Sequence, residues 1–249
     1  MLNRLSFFHP ASPAEYKKYL HYSQRIYSIT ADYFLFNPIH EWETFKNRRF
    51  LPTLLKSWRI DSFRTMHQAN KRFFSDPRLV QLFDRYATYN GSNPYVAPAT
   101  LNIIAYVEAG LGRVYIPGGI YRIAEAMENL ACKVGVEINK NATVDEIVHH
   151  NKRVTGLKVN GSFVVGDYVL NGADVVYSFE KLLDGFENKA RQLKKMEPSI
   201  SGLVFLWGVK GEYPLLKHHN ILFSCHYQSE FRQIFEEQTA PDDPTIYIA

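Results

Sequence analysis

Cysteine is scarce in this 249-residue chain: Cys132 and Cys225 are all it has. Two such distant thiols form neither a disulfide framework nor a metal-ligand spacing, and a reducing compartment suits them. A chain of this length buries enough of its surface to need no staple. Long apolar runs are also missing; none approaches the roughly 18 residues of a membrane span. The opening Met1-Leu-Asn-Arg-Leu-Ser-Phe-Phe-His9 lacks the apolar core and small-residue cleavage site of a secretory signal. Charge of one sign is not in excess: 29 basic against 25 acidic residues leaves +4, too mild to require nucleic acid. Glycine-rich loops are absent as well. The G-x-G at Gly110-Leu111-Gly112 has Tyr115 where a third glycine would stand, so the dinucleotide fingerprint fails. The phosphate loop, the zincin helix and the G-x-S-x-G elbow are likewise missing.

What is there is a globular composition, 46% hydrophobic and 22% charged, unevenly distributed. Residues 1–112 hold 14 Lys and Arg against 8 Asp and Glu, with 21 of the 36 aromatics. Residues 113–249 hold 15 basic against 17 acidic residues and 15 aromatics. The aromatic, basic first part reads either as a lipid-facing or ligand-lined region, or as a helical core under a solvated basic face.

That first part has helical spacing. Ser12-Pro13-Ala14-Glu15 has the form of a capping box with proline in the first turn, and Tyr16, Tyr19, Leu20, Ile26 and Tyr27 follow on one face. A second helix is expected over 61–74. Asp76-Pro77 opens a third carrying Leu79, Leu82, Phe83 and Tyr86, which Asn90-Gly91 ends. After Pro117-Gly118-Gly119 the apolar positions 120, 123, 124, 127, 130, 131 and 134 predict an amphipathic helix with Gly135 as its left-handed stop. Strands are expected over 136–138, 143–149, 154–159, 162–165 and 168–171, with turns at Asn151-Lys152 and Asn160-Gly161. Further β pattern lies at 202–209, 220–225 and 245–248, with a helical stretch over 229–238.

Chemistry-bearing residues are few. His149-His150 and His218-His219 are adjacent pairs, which in a strand point to opposite faces and do not chelate. No metal site is expected. No residue declares itself a catalytic base; Asp76, Arg78 and Arg85 are weak candidates beside ordinary capping and surface roles.

Longer stretches are more informative. Tyr89-Asn-Gly-Ser-Asn-Pro-Tyr95, Pro98-Ala-Thr-Leu-Asn102 and Tyr115-Ile-Pro-Gly-Gly-Ile-Tyr121 resemble the bacterial phytoene desaturase family, FAD-dependent carotenoid desaturases that include the dehydrosqualene desaturases. The resemblance continues through Gly135-Val-Glu-Ile-Asn-Lys-Asn-Ala-Thr-Val144, Val154-Thr-Gly-Leu157, Val169-Leu-Asn-Gly-Ala-Asp174, Glu212-Tyr-Pro214, His218-His-Asn-Ile221 and Pro241-Asp-Asp-Pro-Thr-Ile246. It covers nearly the whole chain. The family's opening G-x-G-x-x-G loop and its glycine-rich final segment have no counterpart here, so the chain resembles the central portion of such an enzyme. The expectation is a truncated, inactive portion with weak or absent FAD binding of its own.

The resemblance implies an α/β fragment of a two-lobed FAD-dependent oxidoreductase. Residues 1–112 would be the helical part of a mixed α+β substrate domain. Residues 113–180 would be the second half of the cofactor domain, a helix plus β-meander, and 181–249 the sheet part of the substrate domain. It further implies that the Val144 backbone pairs with the adenine, and that Gly118-Gly119 form the loop entering the cofactor-domain helix. Asn171-Gly172-Ala173-Asp174 would let the backbone approach the cofactor, or would be an ordinary strand-to-helix turn capped by Asp174. The implied substrate is a long apolar isoprenoid, held in an aromatic-lined tunnel by burial worth about 25 cal/mol per Å². A cytoplasmic protein peripheral to the membrane is expected, meeting it through residues 1–60. There Phe34, Phe36, Trp42, Phe45 and Phe50 mix with Lys46, Arg48 and Arg49. The competing readings are a non-enzymatic apolar-ligand or membrane-binding fragment, and an amine-oxidase-like flavoenzyme with a polar substrate.

Overall fold

The computed structural model describes residues 5–37, 41, 56–151, 153–196, 198 and 200–249. The chain divides into two units, 1–113 with 199–249, and 114–198. Both mix helix with small antiparallel sheets. Phe36 is exposed, while Trp42, Phe45, Lys46, Arg48, Arg49 and Phe50 lie outside the described residues.

The first unit is built on helix α1 (Ser12–Thr30), continued by a π-helical turn at Ala31–Leu35. Its buried stripe is Tyr16, Tyr19, Tyr22, Ser23, Ile26 and Ile29, the three-and-four spacing that puts residues on one helix face. Against it pack α2 (Met66–Phe73) and α4 (Ile103–Ala109). The core joins Tyr19, Phe74 and Phe83, with Phe74 and Phe83 stacked at 4.6 Å and Tyr19 tilted 4.6 Å from Phe83. Such ring pairs contribute about 0.5–1.5 kcal/mol each beyond the area they bury. The Tyr19 phenol is fully buried and donates to Asn102 Oδ1 at 2.9 Å, which spares it an unpaired polar group. Asn102 ends a 3₁₀ turn, Ala99–Asn102, so the bond ties α1 to a turn more than 80 residues away.

Capping differs from the expectation at α1. Ala11 occupies the cap, and Ser12 is already helical, its hydroxyl buried without a partner among the described residues. Glu15 does not reach back either; it accepts from the Ser75 hydroxyl at 2.5 Å and the Ser75 amide at 3.3 Å. The reciprocal box occurs instead at Thr65, where Thr65 Oγ1 accepts from Gln68 N and Gln68 Oε1 accepts from Thr65 N. Helix α2 therefore starts at Met66 rather than near residue 61. Asp61 sits outside it in the left-handed region, at φ +57. Helix α3 (Pro77–Asp84) begins as the Asp-Pro signal predicts, Asp76 accepting from Arg78 N at 2.9 Å. A 3₁₀ turn, Arg85–Asn90, follows.

The later part of this unit contributes strand β4 (Asn220–Leu222), helix α8 (Tyr227–Arg232) and strand β5 (Ile246–Ile248). β4 and β5 pair antiparallel. Glu230 accepts from the Thr245 amide and hydroxyl at 2.8 and 2.7 Å, and Gln81 donates to the Ser224 carbonyl at 2.8 Å. The expected strand over 202–209 is not formed. Leu203, Val204, Phe205, Leu206, Trp207 and Val209 are all exposed there. Propensity alone does not make a strand; its backbone needs a neighbour to bond, and none pairs with it among the described residues.

The second unit holds helix α5 (Tyr121–Lys133), the meander β1 (Val144–His150), β2 (Arg153–Val159) and β3 (Ser162–Val165), then α6 (Val175–Tyr177) and α7 (Glu187–Leu193). The sheet order is β1-β2-β3, both pairs antiparallel. Asn160 and Gly161, at φ +48 and +78, make the tight turn that matches strand twist. Residues 136–138 and 168–171 are irregular rather than strands. The π-helical turn Ser178–Leu182 extends α6 and packs on β1. His149 donates through Nε2 to the Asp184 carbonyl at 3.0 Å and meets the Phe186 ring edge-on, so this histidine is a packing residue.

Candidate functional site

The residues singled out for a nucleotide cofactor all lie in the second unit. Val144 opens β1, paired with Val159, and the register is irregular between Val144 and Glu146. β1 is the edge of its sheet, so its other side meets no strand among the described residues. A free strand edge offers the paired donor and acceptor that a planar heterocycle needs.

Asn171, Gly172, Ala173 and Asp174 come together as one exposed loop before α6. Asn171 Oδ1 accepts from Ala173 N at 2.9 Å, and its Nδ2 donates to Ser178 Oγ at 2.7 Å. Asp174 Oδ1 accepts from Tyr177 N at 2.9 Å, making Asp174 the N-cap of α6. The two polar side chains thus hold the loop's shape, and the backbone at Gly172 is left open, with nothing within 4 Å of where a Cβ would stand. Gly118 and Gly119 adopt φ +89 and +91, a left-handed pair that L side chains adopt rarely, immediately before α5. Among the described residues α5 buries none of its own side chains. An open strand edge and an open small-residue loop fit a nucleotide-bearing group approached through backbone atoms.

The weak catalytic candidates have structural partners in the first unit. Asp76 caps α3 and is gripped by Arg78 Nε at 3.1 Å and Nη2 at 2.7 Å, which holds its carboxyl below the ordinary range. Arg78 lies 4.9 Å over the Phe8 ring. Arg85 stacks over Tyr86 and Tyr89 at 5.3 and 5.4 Å.

The sequence reading missed a polar cluster between α2 and α3. Asp84 is 1% exposed, and it accepts from His67 Nδ1 at 2.6 Å and from Asn70 Nδ2 at 2.8 Å. The His67 ring lies 4.6 Å from Tyr95, which lines a cleft of about 810 Å³ together with Tyr227, Ser229 and Arg232. Burial pushes the Tyr95 phenol up to about 12 and raises Tyr227 further. The available signal was positional: Asp84 falls four residues after Val80, on the apolar face of α3, where a carboxylate requires a partner. A second cleft, of about 730 Å³, lies among α1, α2 and the turn at 57–59. Both clefts are lined largely by polar and charged side chains, and neither is the apolar tunnel that the resemblance implies.

No family model matches the chain. Known proteins do. It is 41% identical over 231 residues to the 1-hydroxycarotenoid 3,4-desaturase of Flavobacterium sp. (strain P99-3), a match covering 93% of this chain and 47% of that protein. The 4,4'-diapolycopene oxygenase of Methylomonas sp is 38% identical over 241 residues, 96% of this chain and 48% of that protein. The chain is a homologue of carotenoid desaturases and oxygenases. The 4,4'-diaponeurosporene oxygenase of Staphylococcus aureus (strain USA300) adds a third such relative, at 35% over 237 residues. The chain spans about half the length of the curated relatives it matches. The carotenoid resemblance seen in the motifs is thus borne out, and it widens to include oxygenases. Among the described residues no helix is long and apolar enough to cross a membrane.

Proposed function

We propose that this chain is the central part of an FAD-dependent oxidoreductase that desaturates a long isoprenoid chain of the carotenoid class. The observation that carries this reading is the likeness, at 41% identity over 93% of the chain, to a protein named for carotenoid desaturation. Residues 113–180 would supply the second half of the cofactor lobe. The edge backbone at Val144 would take the adenine, and the loops Asn171-Gly172-Ala173-Asp174 and Gly118-Gly119 would lie against the cofactor. In the reaction one C–H bond is lost as hydride and its neighbour as a proton, leaving a new double bond. FAD, when bound, supplies the hydride acceptor. The task of the protein is to align the polyene and exclude water, and the aromatic first unit provides dispersion for it. A surface position against the membrane, from which such a substrate is drawn, belongs to this same reading.

A chimera tests it. This chain replaces the matched half of the Flavobacterium enzyme, and the product is expressed in a bacterium that accumulates an acyclic hydroxycarotenoid. The expected result is a yellow flavoprotein and a red-shifted pigment, whereas the 249-residue chain alone gives neither. A chimera that carries flavin but shifts no pigment refutes the reading, as does a pigment shift produced by the isolated chain without flavin.

A further inference from the structure

Positive charge is concentrated in the first unit in a way that the redox reading does not use. Lys18 and Arg25 project from α1 seven residues apart, on one face, and Arg59, Arg64, Lys71 and Arg72 meet them around the 730 Å³ cleft. The acidic residues of the cleft are Glu15 and Asp61, so six cations face two carboxylates. Both carboxylates have partners, although Glu15 Oε2 is buried with none among the described residues. Asp61 accepts from Arg64 Nε at 2.9 Å and from the Tyr22 hydroxyl at 2.6 Å, and Glu15 accepts from Ser75. Burial alone would raise the Asp61 carboxyl, but the bonds from Arg64 and Tyr22 outweigh it and hold it below its ordinary value. The other five cations form no ion pair among the described residues.

Helix ends explain part of this arrangement. Lys71 and Arg72 occupy the last turn of α2, where the dipole favours cations. That account does not reach Lys18 and Arg25, which sit in the middle of α1, or Arg59, which sits on the 3₁₀ turn Ser57–Arg59. Cations gathered in a recess from separate segments, without matching carboxylates, focus a positive potential into it. The floor is aromatic, with Tyr22 and Phe74 buried beneath the charges, and Arg59 lies 4.9 Å over the exposed Trp58 ring. Guanidinium forks over a low-dielectric floor match the oxygens of a phosphate.

We propose that this cleft binds a phosphate-bearing ligand, with Arg59, Arg72 and Lys18 on the phosphate and Trp58 and Phe73 against the adjoining apolar part. The phosphate comes either from a lipid headgroup or from a soluble diphosphate. The site is independent of the flavin reading.

The test uses the full 249-residue chain at low salt, about 0.01 M, where charges are screened only beyond about 30 Å. Inorganic pyrophosphate is titrated calorimetrically. Vesicles of phosphatidylcholine with one part in five phosphatidylglycerol are sedimented beside pure phosphatidylcholine vesicles. The double substitution Arg59→Gln with Arg72→Gln removes two exposed cations that form no ion pair among the described residues. Lys181→Gln with Lys189→Gln, in the other unit, is the charge-matched control. Binding is expected to weaken about tenfold or more in the first pair and less than about twofold in the control, with unchanged circular dichroism. Pyrophosphate binding without vesicle binding assigns a soluble phosphate. Binding to anionic vesicles that pyrophosphate displaces assigns a lipid phosphate. Binding of neither probe, or equal loss in both double variants, overturns the proposal. The readout is anion binding rather than pigment, so its failure leaves the desaturase reading untouched.

Discussion

Asp84 is the residue whose removal this structure predicts most sharply. Its carboxylate is 1% exposed, and it holds two partners from α2, His67 at 2.6 Å and Asn70 at 2.8 Å. Asp84→Ala strands Asn70, which is fully buried, and a buried donor left unmade costs about 1–3 kcal/mol. The His67 side chain is 27% exposed, so it turns to water at little cost. Loss of the carboxylate also removes its own desolvation, which keeps the total below the largest values seen for broken buried pairs. The balance is about 2–3 kcal/mol, or a melting shift of about 4–12 °C in a chain of this size. Tyr19, Tyr22 and Tyr86 are buried in the first unit, whereas Tyr115, Tyr121, Tyr168 and Tyr177 of the second are exposed, so near-ultraviolet circular dichroism during urea unfolding reports chiefly on the first unit. A cycle with Asn70→Ala should show coupling of about 1–2 kcal/mol. A loss below about 0.5 kcal/mol for Asp84→Ala, or strict additivity with Asn70→Ala, would show that the cluster does not hold α3 to α2.

Two further outcomes follow from particular geometry. At Gly156, in the middle of β2, a Cβ would stand 2.2 Å from the Val164 carbonyl oxygen of β3. Gly156→Ala should therefore cost about 1–3 kcal/mol and raise amide exchange in β3, while Gly172→Ala, in open space, should not. Alkaline pH acts on the first unit. Burial raises the phenols of Tyr19, Tyr22, Tyr86, Tyr95 and Tyr227, Tyr95 from 10.0 to about 12. Their folded values exceed the unfolded ones, so the stability they contribute is complete below pH 10 and is lost as pH rises through the folded values. Tyrosinate absorbance should appear together with loss of the circular dichroism signal. Ionisation of all five near pH 10 in a chain still folded would contradict the burial argument.

Several features needed nothing beyond local rules. The apolar period after Pro117 marks α5, Asn160-Gly161 makes the β2–β3 turn, and Asp76-Pro77 opens α3, each decided within a few residues. The ordered motifs between Tyr89 and Ile246 sufficed to recognise the carotenoid desaturase likeness that the relatives bear out. What lay beyond the sequence depended on partners distant along the chain. Ser12 has the form of a cap, yet Ala11 takes the position, and Glu15, instead of closing a capping box, bonds to Ser75, 60 residues away. Residues 202–209 carry strand propensity but no strand, since a ladder needs a second backbone. His67, Asn70 and Asp84 are unremarkable as letters; only the packing of α2 on α3 gathers them, as only the fold gathers Lys18, Arg59 and Arg72 around one cleft. Local sequence sets period, turn and cap. Burial and charge convergence are sums over neighbours that exist only once the chain has folded.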